Sequence, residues 1–391
     1  MLIKFSYSPL KAHRLVPAVI LVVLLLMFAI LPQFLVSYAY REYSVYAEEL
    51  RLHRLDNTSL YATSAMDTKF GSPAQAAELV VDTGASLTWV RDTRYASVMS
   101  SSGHGLGRYI EKYYRSGEYI IGDAHVDWLQ VGPSLNISHL PFGLITQTNI
   151  VGMEGLLGLS PRFMFQAGTL IDRIRSGRQL RYPTFSWINH ADYASLSFGK
   201  RPDLRLDWVP CLHERWIVPI SIASSIDRNA DLSILDKEAT DHLVNQASTI
   251  QELDALIDTA STHILLPKKV LDEIFSSVKN VHFDILKEEW FMADGCEFSD
   301  LPDLQVKIGR SVYTLSPKHY TTIDRKLLIA QMASESQHNH FNMNAPYKAI
   351  LGLPFILNAV REIIFHFKYD PVNQPQKGHV LTYDPQIAFV R

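Results

Sequence analysis

The sequence predicts an all-β chain folded as two pseudo-symmetric β-lobes with a site in the cleft between them, behind an N-terminal apolar segment. Three observations predict this. From Tyr61 onward, short runs rich in Val, Ile, Tyr and Trp are broken by Gly, Ser, Asn and Asp, the pattern of short strands joined by turns. An apolar run ending in Asp-Thr occurs twice, as Leu79-Val-Val-Asp-Thr-Gly-Ala-Ser86 and as Ala255-Leu-Ile-Asp-Thr-Ala-Ser-Thr262. A second echo pairs Glu154-Gly-Leu-Leu-Gly-Leu159 with Ala349-Ile-Leu-Gly-Leu353. Each half therefore carries the same two signals in the same order.

Residues 1–40 read as a cytoplasmic stub and a transmembrane signal anchor. Lys4, Lys11, His13 and Arg14 precede an uncharged stretch from Leu15 to Tyr40. A bilayer core needs about 20 apolar residues in a helix, and this stretch supplies them. Basic residues on its N-terminal side keep that end cytoplasmic. The alternative is a signal peptide cleaved after Ser37-Tyr-Ala39. Either reading sends the body into the secretory pathway, membrane-anchored on the lumenal or extracellular side or secreted. The sequons at Asn57 and Asn136 fit that compartment. Residues 41–60, rich in Arg and Glu, read as a solvated linker or short helix. Residues 61–210 form the N-terminal lobe and residues 211–391 the C-terminal lobe. Helical pattern is sparse, with candidates at 163–176, 240–256 and 268–278, the last opening after Pro267.

With 391 residues, 47% hydrophobic and 20% charged, the chain is globular rather than disordered and has room for two domains. A net charge of -3 gives no reason to expect a nucleic-acid partner. Cys211 and Cys296 could form at most one disulfide, so the core must carry the stability.

The paired Asp-Thr segments carry the chemistry. Small residues after Asp82 let backbone N–H groups approach its carboxylate closely. Two such turns face to face would bring two carboxyl groups into contact. Like charges that close cannot both ionise, so the pair holds one proton. The ionised member can take a proton from water, and the protonated member can donate to a carbonyl oxygen. This is amide hydrolysis without a metal or cofactor, and aspartic proteases are the standard example of the pattern. A single Asp-Thr-Gly arises by chance in about one chain in ten of this length. Two related copies in corresponding halves carry far more weight.

From residue 61 to 391 the chain resembles the pepsin-like aspartic proteases (peptidase family A1), with a fungal-type flap. Phe70-Gly-Ser-Pro-Ala-Gln75 resembles the family's entry turn, and Asp82-Thr-Gly-Ala-Ser-Leu-Thr-Trp-Val90 its first catalytic motif. Tyr113-Tyr-Arg-Ser-Gly-Glu-Tyr-Ile-Ile-Gly122 resembles the flap hairpin, with Tyr114 at the flap tyrosine position and Tyr113 possible by one residue of slip. The resemblance implies that Asp82 and Asp258 bind and activate the lytic water. It implies supporting roles for Thr83, Gly84, Thr259 and Ser261. It implies an extended peptide or protein substrate lying under a flap that uses Tyr114, Ser116, Gly117 and Trp89, the Tyr114 phenol bonding to the Trp89 indole. One chain supplies both aspartates, so a monomer suffices.

The sequence departs from the family pattern in both catalytic motifs and in the flap. Ala260 stands where Gly is usual, which would strain the backbone if φ were positive. Ala85 stands where a serine is frequent. Arg115 and Glu118 put charge into a normally small-residue flap. Trp128, Trp187 and Trp216 read as core. His263 reads as a core histidine, and His338 with His340 as a surface loop rather than a metal site.

Overall fold

The structure is a computed structural model. It describes residues 48–55, 63–114, 117–161, 168–177, 180, 182–225, 251–276, 278–279, 281–284, 289–332, 346–369 and 383–391. The apolar segment, the Asn57 sequon, Arg115 and Ser116, and the pair His338 and His340 lie outside the described residues. Among the described residues no helix is long and apolar enough to cross a membrane, and no three His, Cys, Asp or Glu side chains cluster to hold a metal.

Strands dominate. The first half runs β1 (Glu48–Arg51), β2 (His53–Arg54), β3 (Ser64–Phe70), β4 (Gln75–Asp82), β5 (Trp89–Arg91), β6 (His104–Tyr113), β7 (Tyr119–Val131), β8 (Leu135–Thr148), β9 (Gly155–Gly158), α1 (Leu170–Ser176), β10 (Thr184–Asn189), β11 (Ala194–Phe198) and β12 (Trp208–Pro210). The second half runs β13 (Ile217–Ser225), β14 (Gln251–Ile257), β15 (Ile264–Leu266), α2 (Lys268–Phe275), β16 (Val281–Asp284), β17 (Glu289–Met292), β18 (Asp303–Ile308), β19 (Ser311–Leu315), β20 (Lys326–Gln331), β21 (Ala349–Leu351), α3 (Leu353–Ala359), β22 (Glu362–Tyr369) and β23 (Tyr383–Val390).

Among the described residues three sheets result: an eight-stranded one in the first half, a nine-stranded one in the second, and a six-stranded one shared by both. The two larger sheets repeat one pairing scheme. In the first, β9 lies between β4 and β5, parallel to β4 and antiparallel to β5. In the second, β21 lies between β14 and β15, parallel to β14 and antiparallel to β15. β5 then runs parallel to β8, as β15 does to β20. Val80, Val81 and Asp82 at the end of β4 are buried in succession, as are Ala255, Leu256 and Ile257 at the end of β14. Strands covered on both faces lose their alternation, which is why both Asp-Thr motifs follow unbroken apolar runs.

The shared sheet orders β1-β11-β10-β22-β23-β12, and its β10–β22 pairing joins the halves from Thr184↔His366 to Ile188↔Glu362. Its core is aromatic. Phe185 stacks on Phe365 at 4.5 Å, and the buried Trp216 meets both rings edge-on. The Trp216 indole donates to the Leu159 carbonyl at 2.8 Å, and its own carbonyl accepts from Ile257 N–H at 2.9 Å. One residue thus ties the end of β9 to the end of β14.

Several expectations are corrected. Within the stretch read as linker, Glu48–Arg51 is a strand paired with Ser195–Phe198, because Leu50 and Leu52 turn inward and the edge of β11 is open. The described part of the 240–256 helix candidate is β14, where Leu253, Ala255, Leu256 and Ile257 are buried and β13 and β21 pair on either edge. Helix α1 covers only Leu170–Ser176 of the 163–176 candidate within the described residues, opened by a Thr169–Asp172 capping box. Helix α2 ends at Phe275 rather than Val278 and buries Val270, Leu271, Ile274 and Phe275. Trp187 and Trp216 are core, but Trp128 is 46% exposed: the β7–β8 register shifts between Asp127 and Leu129 and leaves it outside. His263 is half-buried in a bend rather than in a strand, with Nδ1 2.9 Å from Thr262 Oγ1. Cys211 and Cys296 form no disulfide, which is no departure from the sequence reading. Asn136 is exposed in β8.

Replacing Trp216 with Ala removes both the aromatic contact and the indole bond. The expected cost is about 3–5 kcal/mol, read as a lowered urea midpoint with an unchanged denaturant slope.

Candidate active site

Each Asp-Thr motif follows its buried strand and turns back on itself. Gly84 and Ala85 N–H groups donate to Asp82 Oδ1 at 2.7 and 2.8 Å. Ala260 and Ser261 N–H groups donate to Asp258 Oδ1 at 2.9 and 3.2 Å. Behind each loop the neighbouring strand supplies one more bond: Leu159 N–H to the Asp82 carbonyl, and Asp258 N–H to the Leu351 carbonyl.

The loops are locked by their threonines. Thr83 Oγ1 donates to the Ile257 carbonyl at 2.8 Å, and Thr259 Oγ1 donates to the Val81 carbonyl at 2.9 Å. Each hydroxyl also accepts the other threonine's N–H at 3.1 Å. Both residues are fully buried. The four bonds form a closed two-fold lattice, and a polar group in such a place must be satisfied internally.

This lattice brings the carboxyls together. A Cβ placed on Gly84 would lie 2.8 Å from Asp258 Cγ, so the first loop has a glycine because the second aspartate occupies that space. Gly84 does not sit in the left-handed region. Neither does Ala260, which is absent from the positive-φ residues among those described. The strain that Ala260 would cause at positive φ therefore does not arise. The Ser261 hydroxyl donates to the His263 carbonyl at 3.0 Å, so the residue reaches Asp258 through its backbone N–H.

Asp82 is buried and Asp258 half-buried. Burial pushes both carboxyls above their ordinary range; Asp258 is raised to about 7, by desolvation first and by the Asp82 charge second. The Lys112 ammonium and the Gly84 and Ala85 N–H groups hold Asp82 back. The groups titrate as a pair, and the raised Asp258 keeps a proton on that pair up to about 7.

Over the pair stands the β6–β7 hairpin. Tyr113 pairs with Tyr119, Tyr114 N–H donates to the Glu118 carbonyl at 2.7 Å, and Gly117 N–H closes the turn onto the Tyr114 carbonyl at 3.1 Å. Gly117 has φ +85°, the left-handed position such a hairpin turn requires. Alternation puts Ile110, Lys112 and Tyr114 on the inward face and Glu111 and Tyr113 on the outward one. Tyr114 is thus the tyrosine on the inward face, and burial and the Asp82 charge push its phenol up. Trp89 is fully buried behind it, near enough for its indole to act on the phenol, yet Trp89 Nε1 closes no hydrogen bond among the described residues. Glu118 is exposed.

The sequence reading missed Lys112, which acts on both aspartates. Its signal was present: two residues before an inward tyrosine in a strand, a residue shares that face.

A family model described as "Eukaryotic aspartyl protease" matches residues 65–362. The chain belongs to the eukaryotic aspartyl protease family. The crystal structure of the aspartic proteinase from Irpex lacteus superposes with a TM-score of 0.62 at 16% identity, covering 88% of this chain and 98% of that one. At that identity the likeness speaks for the bilobal aspartic proteinase fold. No curated protein matches the chain. As in any member of this family, the two motif loops must keep their spacing if the aspartyl pair is to work as a unit.

The threonine lattice makes that spacing testable. Thr259→Val leaves the Thr83 N–H and the Val81 carbonyl buried without partners. It should cost roughly 2–4 kcal/mol, measured by urea unfolding. Thr83→Val should cost a similar amount. The double variant should cost clearly less than the sum, because both single changes break the same lattice.

Proposed function

We propose that this protein is an aspartic endopeptidase that hydrolyses peptide bonds with water activated between Asp82 and Asp258. The observation that carries the reading is the closed arrangement of two carboxyls in matching loops, one buried and one half-buried, each anchored by two backbone N–H groups on its Oδ1. The anchored oxygens leave one outer oxygen on each residue for the water and the shared proton. The ionised carboxylate takes a proton from water as that water attacks the scissile carbonyl. The protonated partner donates to the carbonyl oxygen, giving a neutral tetrahedral diol. The proton then passes to the leaving amine as the C–N bond breaks. An extended peptide would lie between the pair and the hairpin, with Tyr114 and Gly117 above it. The backbone at Ala260, free of left-handed strain, supports this reading over that of a silent peptide-binding relative. The apolar segment at 15–40 and the sequon at Asn136 support a secretory-pathway location, with the body tethered to a membrane or released from it.

Purified residues 41–391 should cleave an unfolded protein substrate, and a statine-type mimic of the tetrahedral state should stop them. Asp82→Asn and Asp258→Asn should each abolish cleavage; folded protein that cleaves nothing between pH 2 and 7 would overturn the reading. The sign of the pH dependence follows from the raised Asp258. A carboxyl pushed up to about 7 keeps its proton to that pH, so the shared proton that the mechanism needs is lost as pH rises through about 7. Profiles of kcat/KM against pH should therefore fall about tenfold per unit above neutrality.

The third motif residues should respond unequally. Gly84→Ala drives a methyl into the Asp258 carboxyl and should lower kcat about a hundredfold. Ala260→Gly relieves no strain and should change the rate by less than about fivefold, the scale of a ~1 kcal/mol backbone-entropy difference.

A further inference from the structure

An exposed tryptophan borders a cavity on the outer face of the first sheet. Trp128 is 46% exposed, and with Lys69, Gln130, Asn136, Ser101 and Ser102 it lines an open depression of about 400 Å³. That volume lies within the range of pockets that hold small ligands, about 300–1,000 Å³. None of these residues belongs to the aspartyl loops or to the turn of the β6–β7 hairpin. One of them, Asn136, is the acceptor asparagine of the sequon Asn136-Ile-Ser138.

The pairing register sets the arrangement. Lys69 pairs with Gln130, and Gln130 with Asn136. One step along, Phe70 pairs with Leu129 and Leu129 with Ile137, and these three are buried. Alternation therefore turns Lys69, Gln130 and Asn136 to the outer face, with Trp128 on the same side two residues before Gln130. Diagonal neighbours in such a ladder stand about 7–8 Å apart. Trp128 and Asn136 thus flank one space.

The ring stands on a fixed base. Trp128 N–H donates to Asp127 Oδ1 at 2.7 Å, and its carbonyl accepts from Gly71 N–H at 3.0 Å. Asp127 is buried and accepts from the Tyr95, Ser100 and Ser102 hydroxyls at 2.6, 2.6 and 2.7 Å. The Ser101 hydroxyl donates to the Ser72 carbonyl at 3.0 Å. Ser101 and Ser102 have committed their protons in this way and keep oxygen lone pairs as acceptors. The cavity therefore joins a flat apolar surface to hydroxyl acceptors, the Lys69 ammonium and the Gln130 amide. A pyranose ring has the matching form, with an apolar C–H face and a rim of hydroxyls that donate and accept.

We propose that Asn136 carries an N-linked glycan whose first N-acetylglucosamine rings lie in this cavity, C–H face against the Trp128 indole. This rests on the secretory-pathway reading above and is independent of the endopeptidase reading. The covalent link to Asn136 makes the contact intramolecular, so it holds even where a free sugar would bind weakly. The seated sugar covers an aromatic surface that otherwise faces water.

The test uses the full chain produced in eukaryotic cells that glycosylate secreted proteins. Glycopeptide mass spectrometry reads occupancy at the two sequons, Asn57 and Asn136. An amidase that removes N-glycans then reads release from the folded protein. Asn136 should be occupied, and its glycan should leave folded Trp128→Ala about fivefold faster than folded wild type, the scale of one aromatic contact. Trp128→Tyr keeps a flat ring and should stay near the wild-type rate. All three should release equally fast once unfolded, and circular dichroism confirms the folded samples. A second reading needs no variant: releasing the Asn136 sugars from folded wild type should raise the quenching of tryptophan fluorescence by acrylamide. Sugar at Asn57 with a bare Asn136 would overturn the proposal and leave the location reading standing. So would release as fast from wild type as from Trp128→Ala, or quenching unchanged by release. Bare asparagines at both sequons would overturn the location reading and the proposal with it.

Discussion

The reciprocal bonds between Thr83 and Thr259 are the constraint on which the site depends. Each hydroxyl donates to a carbonyl just before the opposite aspartate and accepts the opposite threonine's N–H. Buried as they are, none of these groups has water to fall back on. The lattice therefore sets the separation of the two loops, and the loops set the carboxyls. Trp216 reinforces it one layer down by joining Leu159 to the strand that ends at Ile257. The six-stranded sheet beneath, with Phe185 against Phe365, keeps the two halves from sliding.

The electrostatics follow from that spacing. Two carboxyls held together in a desolvated site cannot both be charged, and the raised Asp258 is the consequence. The same closeness explains the glycine at 84, which the Asp258 carboxyl would otherwise meet. The hairpin adds a third charge from outside the loops. Lys112 acts on both aspartates while resting on Tyr114, so the hairpin contributes charge to the centre as well as cover.

Much of this was legible in the linear chain. The buried ends of β4 and β14 announce themselves as unbroken apolar runs before Asp82 and Asp258, and Gly155–Gly158 and Ala349–Leu351 as their parallel partners. Where reading failed, long-range packing had decided. Glu48–Arg51 looks like a charged linker because an edge strand needs only one apolar face, and its partner lies at Ser195–Phe198. Residues Gln251–Ile257 mix polar and apolar types in a way that suits a helix until β13 and β21 cover both sides. Trp128 looks like core until the slip in β7 register turns it outward.

The sequence by itself determined the strand-rich fold, its duplication and the two aspartates, because local periodicity and repeated motifs are written in consecutive residues. Only the tertiary structure decided that Ala260 is free of left-handed strain, that Tyr114 rather than Tyr113 is on the inward face, and that Lys112 acts on both aspartates. Those facts depend on backbone dihedrals and on contacts between segments far apart in the chain, including two loops 176 residues apart. No local pattern encodes such a distance.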